Sequence, residues 1–93
     1  MKKLATRKQY IEALNFVLSA RSDFKKLEYH KHNADGSEYI FLTDLIGQVA
    51  ILDVTGYSDA SIYHALAIIE CGGKPRCYIT DQKKRLELGK LFA

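Results

Sequence analysis

EYIFLTDLIGQVAILDVT, residues 38–55, decides the fold. Two apolar runs, Tyr39-Ile40-Phe41-Leu42 and Val49-Ala50-Ile51-Leu52, flank the short breaker Ile46-Gly47. Each run is too short for a helix and rich in β-branched and aromatic side chains, so each reads as a strand. Both are apolar at successive positions. Successive residues of a strand point to opposite faces, so both faces call for a cover and the strands belong at the centre of a sheet. With Ile46-Gly47 as a two-residue turn, the strands run over 38–45 and 48–55. That register sets Leu45 opposite Gln48, Asp44 opposite Val49, Ile40 opposite Asp53 and Glu38 opposite Thr55.

Upstream, Phe24 to His32 alternates Leu27 and Tyr29 against Glu28 and His30, which predicts a further strand. Asn33-Ala34-Asp35-Gly36 is its turn, because Asn and Asp bond their own backbone and Gly supplies positive φ. Thr6-Arg7-Lys8-Gln9 fits a capping box, with Thr6 as N-cap. Behind it, Tyr10, Ile11, Leu14, Val17 and Leu18 recur at helical spacing and predict a helix over 7–21. Downstream, Gly56 ends the third strand. Ser58 or Asp59 caps a second helix that Gly72-Gly73 terminates. Ile62, Leu66 and Ile69 are its inner stripe. Tyr63, Ala67, Ile68 and Cys71 leave it little polar surface, which predicts a largely buried helix. Arg76 to Thr80 reads as a short fourth strand. Asp81 caps a last helix with Leu88, Leu91 and Phe92 turned inward.

The predicted order is αβββαβα, a single α+β domain over 1–93. The step from 48 to 80 reads as a βαβ crossover, which would set the fourth strand parallel to the third or a near neighbour in a small mixed sheet. Ninety-three residues with 47% hydrophobic content suffice for one core. No run of 18 apolar residues is present, so no membrane span is expected. Met1-Lys2-Lys3-Leu4-Ala5-Thr6-Arg7-Lys8 has no apolar stretch behind it and does not read as a signal peptide. Two cysteines cannot staple a secreted mini-protein, so a cytoplasmic protein with reduced thiols is expected.

Charge is segregated. Residues 1–31 hold eight Lys or Arg against three acids, +5. His32 to Gly73 holds six acids and no Lys or Arg, −6. Residues 74–93 hold six cations against two acids, +4. The net charge of +3 therefore hides two basic ends around an acidic, apolar centre. The ends coincide with helix starts: Lys2, Lys3, Arg7 and Lys8 open the first helix, and Lys83, Lys84 and Arg85 open the last. Cations there oppose the helix macrodipole, and a partner phosphate would reconcile the two. These seven residues are the candidate anion-binding set. The plainer reading is that their long side chains lean into water.

Three acids form the candidate metal set. In the register above, Glu38 and Asp53 share a face as diagonal neighbours, roughly 7 Å apart, with Thr55 beside them. Oxygen ligands of this kind suit Mg²⁺. Asp44 shares the face but lies about 13 Å along it from Asp53. The plainer role for Asp53 is to end the strand and bond the turn that follows. The element order and the Leu52-Asp53-Val54-Thr55 segment resemble the restriction-endonuclease-like nucleases. That family shares an αβββαβ core, with an acid on the second strand and an acid-x-Lys on the third that hold metal and activate water. The resemblance implies Asp53 as the third-strand acid and Glu38 or Asp44 as the first. Thr55 stands where the family has lysine, and Lys74 is the nearest later lysine.

The remaining candidates are thinner. His30 and His32 share a strand face, and Cys71 and Cys77 are five residues apart, four N/S donors in a zinc set. C-x5-C is not a usual zinc spacing, and buried, inert thiols are the alternative, Cys71 above all. His64 lies about two turns, near 10 Å, from Cys71, too far to pair. Gly72-Gly73-Lys74 lacks the spacing of a phosphate loop. No catalytic motif stands out and no cofactor is implied. The expectation is a small non-enzymatic binding or regulatory module contacting nucleic acid or an acidic protein surface through its basic ends. A nuclease using Glu38 and Asp53, or a homo-oligomer pairing through an open strand edge, are the alternatives.

Overall fold

The computed structural model describes residues 6–19 and 24–92. Helix α1 spans Arg7–Ser19, strands β1 Phe24–His32, β2 Ser37–Asp44 and β3 Val49–Asp53, helix α2 Asp59–Glu70 and helix α3 Gln82–Leu91. The three strands form one antiparallel sheet in the order β1-β2-β3. The predicted end of α1 at residue 21, the side chains of Val17 and Leu18, and Lys2 and Lys3 lie outside the described residues. No described helix is long and apolar enough to cross a membrane.

The central strand is covered on both sides, as its doubly apolar sequence requires. On one face, Ile40, Leu42, Leu52 and Val54 pack with Leu27 of β1, Ile11 and Leu14 of α1, and Ile62, Ala65 and Leu66 of α2. On the other, Tyr39, Phe41 and Ile51 pack with Leu88 of α3, flanked by Val49, Ile79 and Phe92. The molecule is therefore three layers: α1 and α2, the sheet, and α3.

The β2–β3 register differs from the expected one by a residue. Tyr39 faces Asp53, Ile40 faces Leu52, Leu42 faces Ala50 and Thr43 faces Val49. The cause is the turn. Asp44 and Gln48 close a three-residue loop, Leu45-Ile46-Gly47, with the Asp44 N–H donating to the Gln48 carbonyl at 2.9 Å and Gly47 at φ +88°. The Asp44 carboxylate accepts from the N–H groups of Ile46 (3.0 Å) and Gln48 (2.8 Å). A three-residue loop ending in a left-handed glycine is a common hairpin form, and the side chain of Asp44 builds it. One residue of slip exchanges the faces of β3 relative to β2.

The predicted strand over 76–80 is also corrected. Tyr78 forms one isolated bridge with Leu52, and it is antiparallel. Asp53 N–H donates to the Cys77 carbonyl and Ile79 N–H to the Ile51 carbonyl, each at 2.9 Å. Two successive turns reverse the chain before it reaches β3. The first ends α2: Gly73 N–H reaches the Ile68 carbonyl and Gly72 N–H the Ile69 carbonyl, both at 2.9 Å, with Gly72 at φ +88°. This is a Schellman motif, which glycine at the left-handed position permits. The second is closed by Tyr78 N–H on the Pro75 carbonyl at 3.0 Å. A parallel βαβ crossover is thereby ruled out, and the sheet is antiparallel rather than mixed.

The helix starts follow the sequence closely. Thr6 N–H donates to Gln9 Oε1 at 3.1 Å and Gln9 N–H to Thr6 Oγ1 at 3.2 Å, a reciprocal capping box. Ser58 caps α2 by accepting from Ser61 N–H at 3.1 Å, and Asp81 caps α3 by accepting from Lys83 N–H at 3.0 Å. Helix α2 is less buried than expected: Ile62, Ala65 and Leu66 are inside, while Tyr63, His64 and Cys71 are exposed. In α3, Leu91 is exposed and Phe92, four residues beyond Leu88, takes the inward place, stacked on His30 with ring centroids 4.8 Å apart.

Candidate functional site

The two basic helix starts lie on opposite faces of the sheet, α1 over the Ile40 face and α3 over the Tyr39 face. They do not make one surface. Their cations also have different partners. Arg7 is turned inward: Nε meets Asp59 Oδ1 at 2.9 Å, Nη1 meets Glu38 Oε2 at 3.4 Å, and Nη2 donates to the Tyr57 carbonyl at 2.6 Å. One guanidinium thus joins α1, β2, the loop after β3 and the start of α2, using the fork geometry that lysine lacks. Lys8, next to it, is exposed.

Glu38 is the far side of that junction. Its Oε2 also accepts from the Tyr29 hydroxyl at 2.5 Å, and its Oε1 from Gly56 N–H at 3.3 Å. Burial and this hydrogen bond to the carboxylate push the Tyr29 phenol up to about 12. Burial and the neighbouring Asp59 likewise raise Tyr10, whose hydroxyl donates to the Asp59 carbonyl at 3.4 Å.

At α3, Arg85 Nη2 donates to the Val49 carbonyl at 2.6 Å, fastening the helix to the sheet, while its buried Nε has no hydrogen-bond partner among the described residues. Lys83 and Lys84 are exposed and make no ion pair among the described residues. The first turn of α3 holds no acid, and the adjoining N-cap carboxylate, Asp81, accepts from the backbone N–H groups of Lys83 and Lys84.

The three carboxylates of the candidate metal set do not converge. Glu38 follows the Ile40 row and Asp53 the Ile51 row, on opposite faces, because of the shifted register. Asp53 Oδ1 accepts from Thr55 N–H at 3.1 Å and Thr55 Oγ1 at 2.7 Å. Asp44 closes its own hairpin. Each acid shapes a turn or a junction, and no group of three or more His, Cys, Asp or Glu among the described residues could share a metal ion. The paired geometry that the nuclease resemblance implies is not formed.

The N/S set is likewise dispersed. His30 and His32 share a face, as expected, but it is the α3 face, where both meet Phe92. Cys77 is buried on the other face and Cys71 is exposed, the reverse of the expected burial for Cys71. Burial raises the Cys77 thiol, which lies beside Tyr57. On the outer edge of β1, Leu27 N–H donates to Asn15 Oδ1 at 2.8 Å, so α1 occupies part of the edge considered for self-pairing.

The sequence reading missed a cleft of about 500 Å³ between α2 and the loop that follows it. Tyr57, Ser61, His64, Ile68, Pro75 and Arg76 line it. Only the Gly72-Gly73 stop hinted that the chain would turn there. In comparisons with protein-family models, curated proteins and solved structures, nothing matches this chain.

Proposed function

We propose that the protein is a non-enzymatic binding module for an anionic partner, with nucleic acid as the first candidate and an acidic protein surface as the second. The observation that carries this reading is the opening of α3. Arg85 is spent on the Val49 carbonyl, so the helix is fastened, while Lys83 and Lys84 stay exposed and unpaired among the described residues. The Asp81 carboxylate already caps the backbone end through the N–H groups of Lys83 and Lys84, so the two neighbouring side-chain cations are the positive feature left for a partner. Adjacent like charges repel, and a bound phosphate would relieve that repulsion. Lys8 belongs to the opposite face and is a secondary contact in this reading.

The test mixes the protein with labelled single- and double-stranded DNA and RNA, with and without Mg²⁺ or Mn²⁺, at low and moderate salt. A salt-sensitive shift without cleavage is expected. Metal-dependent cleavage lost in Asp53→Asn would replace this reading with the nuclease one. No shift with any nucleic acid would leave the acidic protein surface as the partner class.

A further inference from the structure

We propose that the cleft between α2 and the 72–78 loop binds a small phosphate monoester with an aromatic body. Its volume, about 500 Å³, lies in the range that small-molecule sites occupy. Its walls divide the work in the way such sites do. Tyr57, Ala65, Ile68 and Pro75 give an apolar surface that suits a flat organic group, while Ser61, His64 and Arg76 supply donors for an anion.

The donors are free to act. Arg76 is exposed and has no ion pair or hydrogen bond among the described residues. It also borders the neighbouring recess that contains Asp53, yet forms no ion pair with it. His64 is exposed on α2 and also lacks a partner there. The Ser58 hydroxyl donates to Ser61 Oγ at 3.1 Å, which leaves the proton of Ser61 available to a ligand. A planar guanidinium matches phosphate oxygens in a bidentate way, and an imidazole N–H and a hydroxyl can fill further lone pairs. Three donors of this kind fit the three terminal oxygens of a phosphate monoester better than the two of a carboxylate.

The apolar side is held in place. Tyr57 lies beside Cys77, and the neighbouring thiol raises its phenol. Ala65, across the cleft, belongs to the sheet-facing core cluster. Pro75 is buried and fixes the loop that presents Arg76. The site is therefore built on a helix and a pinned loop, with its free cation at the rim.

The experiment is an amide-resolved NMR titration of the whole chain with phenyl phosphate, inorganic phosphate and phenol, each at constant ionic strength. Saturable shifts at residues 57, 61, 64, 68 and 76 are expected with phenyl phosphate. Arg76→Gln should weaken binding about tenfold or more while leaving the fold intact, because its side chain makes no ion pair or hydrogen bond among the described residues. Ser61→Ala should weaken it by a smaller factor. Lys83→Ala with Lys84→Ala should leave it unchanged, since those residues are not in the cleft. This separates the proposal from the nucleic-acid reading. Three results would each overturn it: no saturable shift, equal affinity in Arg76→Gln, or equal affinity for inorganic phosphate, which would mean an adventitious ion only.

Discussion

The two basic helix starts look alike in sequence and differ in what the fold does with them. Arg7 at α1 meets Asp59, Glu38 and the Tyr57 carbonyl and becomes a junction of four chain segments. At α3 only one cation, Arg85, is drawn inward, and it finds a single carbonyl. Lys83 and Lys84 stay outside. The difference lies in what lies within reach. The α1 start lies against Glu38 of β2 and Asp59 at the start of α2, so the Arg7 charge is neutralised within the molecule. The α3 start lies against a strand edge that offers the Val49 carbonyl, and its N-cap carboxylate, Asp81, is engaged by backbone N–H groups and makes no ion pair with Lys83 or Lys84 among the described residues. A run of cations at a helix start is therefore structural or available depending on the acids that tertiary structure brings to it.

Breaking the junction at α1 should have the largest effect. Arg7→Ala leaves the half-buried Glu38 without its cation and should cost about 2–3 kcal/mol, read as a lower midpoint of urea unfolding. Arg7→Lys should recover only part of this, because an ammonium cannot span three partners. Arg85→Ala removes one charge-assisted bond to Val49 and should cost about 1–2 kcal/mol by the same measurement. Equal costs at the two arginines would erase the contrast between the two starts.

Tyr29→Phe sharpens the picture at the α1 junction. It should cost about 1 kcal/mol at neutral pH through the lost bond to Glu38. The pH dependence has a definite sign. The folded phenol holds its proton more tightly than an unfolded one, so stability is whole below pH 10 and falls as pH rises from 10 to about 12. Tyr29→Phe should flatten part of that fall, with Tyr10 and Tyr57, also raised, supplying the rest. The smallest effect on stability should come from Lys83→Ala with Lys84→Ala, within about 0.5 kcal/mol of the parent.

Local signals in the sequence translated well. The Thr6/Gln9 box, the Ser58 and Asp81 caps, the Asp35-Gly36 turn and the Gly72-Gly73 stop are each made by residues within a few positions of one another. The doubly apolar β2 and β3 were legible as covered strands for the same reason. What was not legible depended on geometry beyond the local segment. The Asp44 side chain turned a two-residue turn into a three-residue loop, and that one residue moved Asp53 to the face away from Glu38. The charged partners of Arg7 lie 31 and 52 positions along the chain, a distance no helical or strand period spans. The cleft exists because two turns fold residues 72–78 back along α2, and no spacing of its lining residues marks it in advance.

In the proposed function Lys83 and Lys84 are the main contact with the anionic partner and Lys8 a secondary one. The most direct measurement is the salt dependence of nucleic-acid affinity for the parent chain, Lys8→Ala, and the Lys83→Ala, Lys84→Ala double variant. The double variant should bind more weakly and lose about two units of the slope of log affinity against log salt, with Lys8→Ala close to the parent. An unchanged slope in the double variant, with the loss appearing in Lys8→Ala, would contradict the claim and return the α3 lysines to solvated surface.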